Sequence, residues 1–280
     1  MSFVSHADFG GEGLTLLQLI EQYIFQLAVT VGVIVFTGMV IAGAKRVFLK
    51  SCRGGAYYVE LATGFLGTPI HELSHAVFCL LFGHRIKKIC LWTAKPQNGN
   101  IGYVTHTYRK RNLWHQIGNF FIGIAPIIGG SAVLLILLRL LLPDTAASLF
   151  SFSHDLPHEK LKMMEALLGQ VFLTLRTLFD PSNFLRFHFY LYLFLAVLIV
   201  LHMEISGSDI RSGLWGFLFL SSIWLLLDLL LFFFYSEGLK TVTEICVGVG
   251  AILSTFFCLS VILSVLLLFV SVVALIVRKR

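Results

Sequence analysis

His71-Glu72-Leu73-Ser74-His75 has the spacing His-Glu-x-x-His. On a helix, two histidines four residues apart lie one turn above the other on a single face, so both imidazoles can reach one metal ion. Glu72 between them can take a proton from a metal-bound water, and zinc lowers the pKa of that water to about 7. This is the strongest chemical signal in the chain. A catalytic zinc takes three protein ligands and leaves one position for water. The segment His202-Met203-Glu204-Ile205-Ser206-Gly207-Ser208-Asp209 is the best source of the third. Ser206, Gly207 and Ser208 make a helix break that lets Asp209 fold inward, with His202 and Glu204 as reserves. His84 reads as an interfacial histidine. Asp228 sits deep in the following span, and Glu60 precedes a Gly-Pro break, so both are weaker choices. The five cysteines (Cys52, Cys79, Cys90, Cys246, Cys258) form no CxxC pair. They make no case for a disulfide framework or a cysteine-based zinc site.

The elements that must position these residues follow from composition. Of 280 residues, 57% are hydrophobic and 13% charged, against about 25% charged in a typical soluble domain. With a mean hydropathy of +0.87, that excludes a soluble globular protein, a disordered chain and a disulfide scaffold. The net charge of +6 fits Lys and Arg collecting on cytoplasmic loops better than nucleic-acid binding. The opening MSFVSHADFGGEGLTLLQLI has no basic start, so no cleavable signal peptide is expected and the first span stays as an anchor.

The reading is an all-α polytopic membrane protein forming one domain over 1–280. It has an anchor span at 22–44, a core at 57–212 and C-terminal spans within 213–277. Five spans are well formed: 22–44, 118–138, 187–203, 213–235 and 245–277. A sixth, 57–83, is irregular, carrying Glu60 and Glu72 and interrupted by Gly64, Gly67 and Pro69. Thr68 suits an N-cap and Pro69 a first helical residue. A helix from there to Phe82 is about 21 Å long, too short to cross. The expected segment is therefore broken or re-entrant, which also gathers most Lys and Arg residues on one face; a continuous proline-kinked span is the alternative. Two β-favouring runs around Asn98-Gly99 predict a β-hairpin over 86–108. Lys162, Glu165 and Arg176 suit an amphipathic interfacial helix.

An HExxH within a hydrophobic segment, then a hairpin-like loop and a further span with a later carboxylate, resembles the site-2 protease family of intramembrane zinc metalloproteases. The resemblance covers 57–212 and is carried by His71, Glu72 and His75. It implies that His71, His75 and a distant aspartate bind Zn2+ while Glu72 activates water. The family's usual LDG or NPDG around that aspartate does not occur here. SGSDI resembles a variant in divergent bacterial members and places the aspartate at Asp209. The run from Gly118-Asn119 to Pro126 resembles the family's small-residue helix beside the active site, with Asn119 available to a substrate strand. No PDZ-like insertion is present. The implied activity is peptide-bond hydrolysis in membrane-associated or transmembrane substrates, by a multi-pass protein of the bacterial cytoplasmic membrane. An extended substrate would add to the hairpin through main-chain bonds. Two rivals stay open: a non-catalytic scaffold or transporter subunit with a zinc-stabilised site, and a zinc hydrolase acting on lipid or a small amide.

Overall fold

Backbone N–H and C=O groups in an apolar medium must be satisfied internally, and the described residues, almost wholly helical, meet that demand. The computed structural model describes residues 15–96, 100–151, 169 and 171–277. Helix α1 (Leu16–Leu27) starts at Thr15, whose hydroxyl accepts from the Gln18 N–H while the Gln18 side chain returns a bond to Thr15. It runs through a π-turn, Ala28–Gly32, into α2 (Val33–Ser51). There follow α3 (Ala56–Leu81), strands β1 (Arg85–Cys90) and β2 (Tyr103–Thr107), α4 (Leu113–Leu141), α5 (Pro143–Ser151), α6 (171–178), α7 (Phe187–Val200), α8 (Gly207–Phe234) and α9 (Ser236–Val277). Among the described residues, four helices are long and apolar enough to cross a membrane: Leu16–Ser51, Leu113–Leu141, Gly207–Phe234 and Ser236–Val277. They contain the expected spans 22–44, 118–138 and 245–277, and 213–235 but for Tyr235, which caps α8. The expected span 187–203 is shorter, because α7 ends at Val200 and is only about 21 Å long. The amphipathic helix around Lys162 and Glu165 lies outside the described residues.

The expected break at Pro69 is corrected. α3 is one continuous helix of 26 residues with Pro69 inside it. Proline removes one hydrogen bond, a loss that neighbouring helices make tolerable. The glycines read as interruptions serve instead as contact points. A Cβ on Gly67 would collide with the Leu198 carbonyl and with His202, and one on Gly64 would lie 3.4 Å from the His202 ring. Small residues there let α3 and the end of α7 approach backbone to backbone.

α4 holds the bundle together, packing against α3, α7, α8 and α9 while α2 lies along α9. Its core face buries Ile127, Leu134 and Leu138 against Ile41, Tyr192 and Phe257. Its glycines set two helix separations. At Gly129 a side chain would overlap Ser74 of α3; at Gly123 a Cβ would stand 2.8 Å from the Asp209 carbonyl oxygen and 3.1 Å from Gly213 of α8. The expected hairpin is present as an antiparallel pair, with Arg85 opposite Thr107, Cys90 opposite Tyr103 and an irregularity between Ile86 and Lys88. Its Asn98-Gly99 turn lies outside the described residues. The hairpin rests on α3 at Gly102, where a Cβ would overlap Thr68 and stand 3.0 Å from the Glu72 Cγ.

Candidate metal centre

α3 presents His71 and His75 one turn apart, and its neighbours orient both rings. The His71 Nδ1 is 2.7 Å from the His202 carbonyl oxygen, and the His75 Nδ1 is 2.8 Å from that of Ile122 on α4. A carbonyl only accepts, so each Nδ1 carries a proton. In the neutral rings both Nε2 atoms are lone pairs, and they face each other across 3.2 Å. Two lone pairs at that distance repel unless a proton or a metal ion lies with them. The Asp209 Oδ2 stands 3.6 Å from the His75 Nε2. One ligand atom from each of His71, His75 and Asp209 lies within 4.8 Å of the other two. Two imidazoles and a carboxylate form a zinc ligand set, and a far-side bond to a carbonyl is how metal-binding histidines are usually oriented. The donor set fits zinc.

Asp209 reaches this position because α8 begins where the sequence breaks. Ser206 caps the helix: its hydroxyl accepts from the Asp209 N–H at 3.2 Å. The Asp209 Oδ2 in return accepts from the Ser206 N–H at 3.0 Å and from its hydroxyl at 2.5 Å. The oxygen that closes the cap at the start of α8 is also the one that faces the His75 ring. Glu72 is buried. It shares with His71, His75 and Asp209 a cavity of about 240 Å³, roofed by Gly102 and Tyr103 of the hairpin.

The reserve ligands are engaged elsewhere around the same cavity. The His202 ring lies 2.9 Å from the Thr63 hydroxyl and 3.4 Å from that of Thr68, and contributes to His71 only through its carbonyl. Glu204 is ion-paired with Lys45 at 2.6 Å, and Glu60 joins the same ammonium at 2.9 Å. Asp228 is fully buried in α8 and does not line the cavity. Nor does Asn119, which is buried with both amide atoms unpartnered among the described residues.

Two features escape the sequence. Lys45 belongs to a cluster of basic residues that reads as loop charge, but it is 7% exposed and lies against two carboxylates on the cavity wall. Its only sequence signal is a cation at the end of an apolar helix. The second is a group of Cys79, His84 and His106, whose ligand atoms also lie within 4.8 Å of one another. His84, read from the sequence as interfacial, is instead buried. The His84 and His106 Nδ1 atoms are 3.0 Å apart. Burial lowers the His84 pKa and, with His84 alongside, pushes His106 down to about 4.

No protein-family model, curated protein or solved structure matches this chain. Function must be argued from the site itself.

Proposed function

We propose that the chain is a membrane-embedded zinc metallopeptidase of the site-2 protease kind, hydrolysing peptide bonds of membrane-associated or transmembrane substrates. The observation that carries this reading is the pair of Nε2 atoms facing each other beside Asp209, in a cavity that also holds Glu72. His71, His75 and Asp209 would hold the ion, leaving a coordination position free as catalytic zinc sites do. Zinc, when bound, supplies a Lewis acid that polarises a carbonyl and makes water acidic near neutral pH.

Everything else falls to the chain's own side chains. Glu72 accepts a proton from the attacking water and passes it to the leaving amine, a transfer that needs a carboxylate within the cavity. The carbonyls of His202 and Ile122 keep the imidazole lone pairs aimed inward. A helical substrate hides its carbonyls in its own hydrogen bonds, so it must be unwound before it is cut. The hairpin over Glu72 offers extended main chain to an unwound segment. On this reading the long helices lie in a bilayer, in a multi-pass arrangement suited to a bacterial cytoplasmic membrane.

The rival scaffold or transporter reading has no use for Glu72 beside an open three-ligand set. The test is cleavage by the purified full-length chain, loaded with zinc in detergent micelles, of a library of labelled apolar peptides. New termini that appear with wild type and vanish with Glu72→Gln, at unchanged zinc content, are expected. Equal cleavage by the variant, or none by the zinc-loaded wild type, overturns the assignment.

A further inference from the structure

Past the HExxH, α3 continues one turn to Cys79 and then stops in a way that places another histidine. Gly83 has φ +71°, a left-handed conformation that suits glycine. Its N–H donates to the Leu80 carbonyl at 3.1 Å, and the His84 N–H donates to the Cys79 carbonyl at 2.8 Å. That pair of bonds is a Schellman closure, and it folds His84 back over the last turn of the helix. The hairpin then returns His106, paired with Ile86 in the strand register, to the same spot.

The donor atoms are prepared as those of the first site are. The His84 Nε2 lies 3.0 Å from the His115 carbonyl oxygen, so it carries the ring proton and leaves Nδ1 as a lone pair. That lone pair points at His106, and the His84 side chain is almost wholly buried, at 3% exposure for the residue. Cys79 is a free cysteine with no exposed surface. His115 stays outside the set: its Nδ1 accepts the Arg109 N–H at 3.0 Å, so its Nε2 is the protonated nitrogen. Its part is to orient His84 through its carbonyl. Oxygen-seeking ions such as Mg2+ and Ca2+ have no use for a thiol and two imidazoles, whereas zinc-class ions take that set readily.

We propose that Cys79, His84 and His106 form a second metal site, for a borderline divalent ion of the zinc class, which ties β2 to the C-terminal end of α3. Binding forms one metal–sulfur and two metal–nitrogen bonds, and the Cys79 thiol releases its proton to water; no electron is transferred. Because His106 also lines the cavity over Glu72, an ion here holds the hairpin in place above it. The site does not depend on the peptidase reading, since its ligands are separate from His71, His75 and Asp209.

Cobalt(II) distinguishes the two sites, because only this one contains sulfur. Purified full-length protein in detergent, titrated with Co2+, should take up two ions per chain and develop a sulfur-to-cobalt charge-transfer band. The double variant His71→Ala/His75→Ala should bind one ion and keep the band. Cys79→Ser, nearly isosteric, and His106→Ala, on the part-exposed hairpin, should each bind one ion and lose the band while eluting from gel filtration as wild type does. A single ion per wild-type chain with no sulfur band overturns this site and leaves the first untouched. A band that survives Cys79→Ser overturns it too, since another cysteine would then be the ligand.

Discussion

Two histidine pairs stand near α3, and they are built differently. His71 and His75 share one rigid helix, and their rings meet edge to face at 69°. His84 and His106 come from a helix end and a strand, and their rings are tilted at 39°. In the first pair both rings are held by carbonyls on other elements, His202 and Ile122. In the second only His84 is anchored by a carbonyl, that of His115. The first pair is therefore preorganised by the bundle, while the second exists only when the hairpin is docked. A site for chemistry suits the former, and a clasp suits the latter.

The largest test of that contrast is Glu72→Gln. It should lower peptide cleavage by more than about 100-fold while both metal contents stay unchanged, which would confine the chemistry to the first pair. Lys45→Met comes next. Removing the ammonium leaves Glu60 and Glu204 facing each other, and should cost about 2 kcal/mol in unfolding measured in detergent. That is less than for a fully buried pair because both carboxylates open partly onto the cavity. Ser206→Ala then frees the Asp209 carboxylate; zinc affinity at the first pair should fall about 10-fold, with the sulfur–cobalt band unmoved. The smallest effect is reserved for the clasp. Gly83→Ala forces a side chain into a left-handed conformation, costing about 1 kcal/mol. It should weaken cobalt binding at Cys79 without touching the first site; equal losses at both would erase the distinction drawn between them.

How far the sequence could be read depends on how local each feature is. The HExxH is legible because its geometry is internal to one helix turn. Ser206-Gly207-Ser208 reads as a helix break, and what it holds is the start of α8, whose cap turns the Asp209 carboxylate toward His75. Pro69, Gly64 and Gly67 mislead because punctuation and close packing use the same residues; only the neighbour at α7 tells them apart. Lys45 is invisible as a cavity residue, since a positive charge at a span end looks alike whether it faces water or two carboxylates. The group of Cys79, His84 and His106 needs both a Schellman turn and a hairpin register before its members meet. The hairpin itself was legible from two β-favouring runs, but what its strands would carry to α3 was not.

α4 carries none of the three candidate ligands, yet it spaces the helices that do. Gly129 sets its distance from the helix bearing the two histidines, and Gly123 its distance from the helix bearing Asp209. The space between the three candidate ligands is thus gauged by a backbone stripped of side chains at two points. A methyl group at either glycine would re-gauge it, so on the proposed reading the size of ion that fits would be set by residues that never touch it.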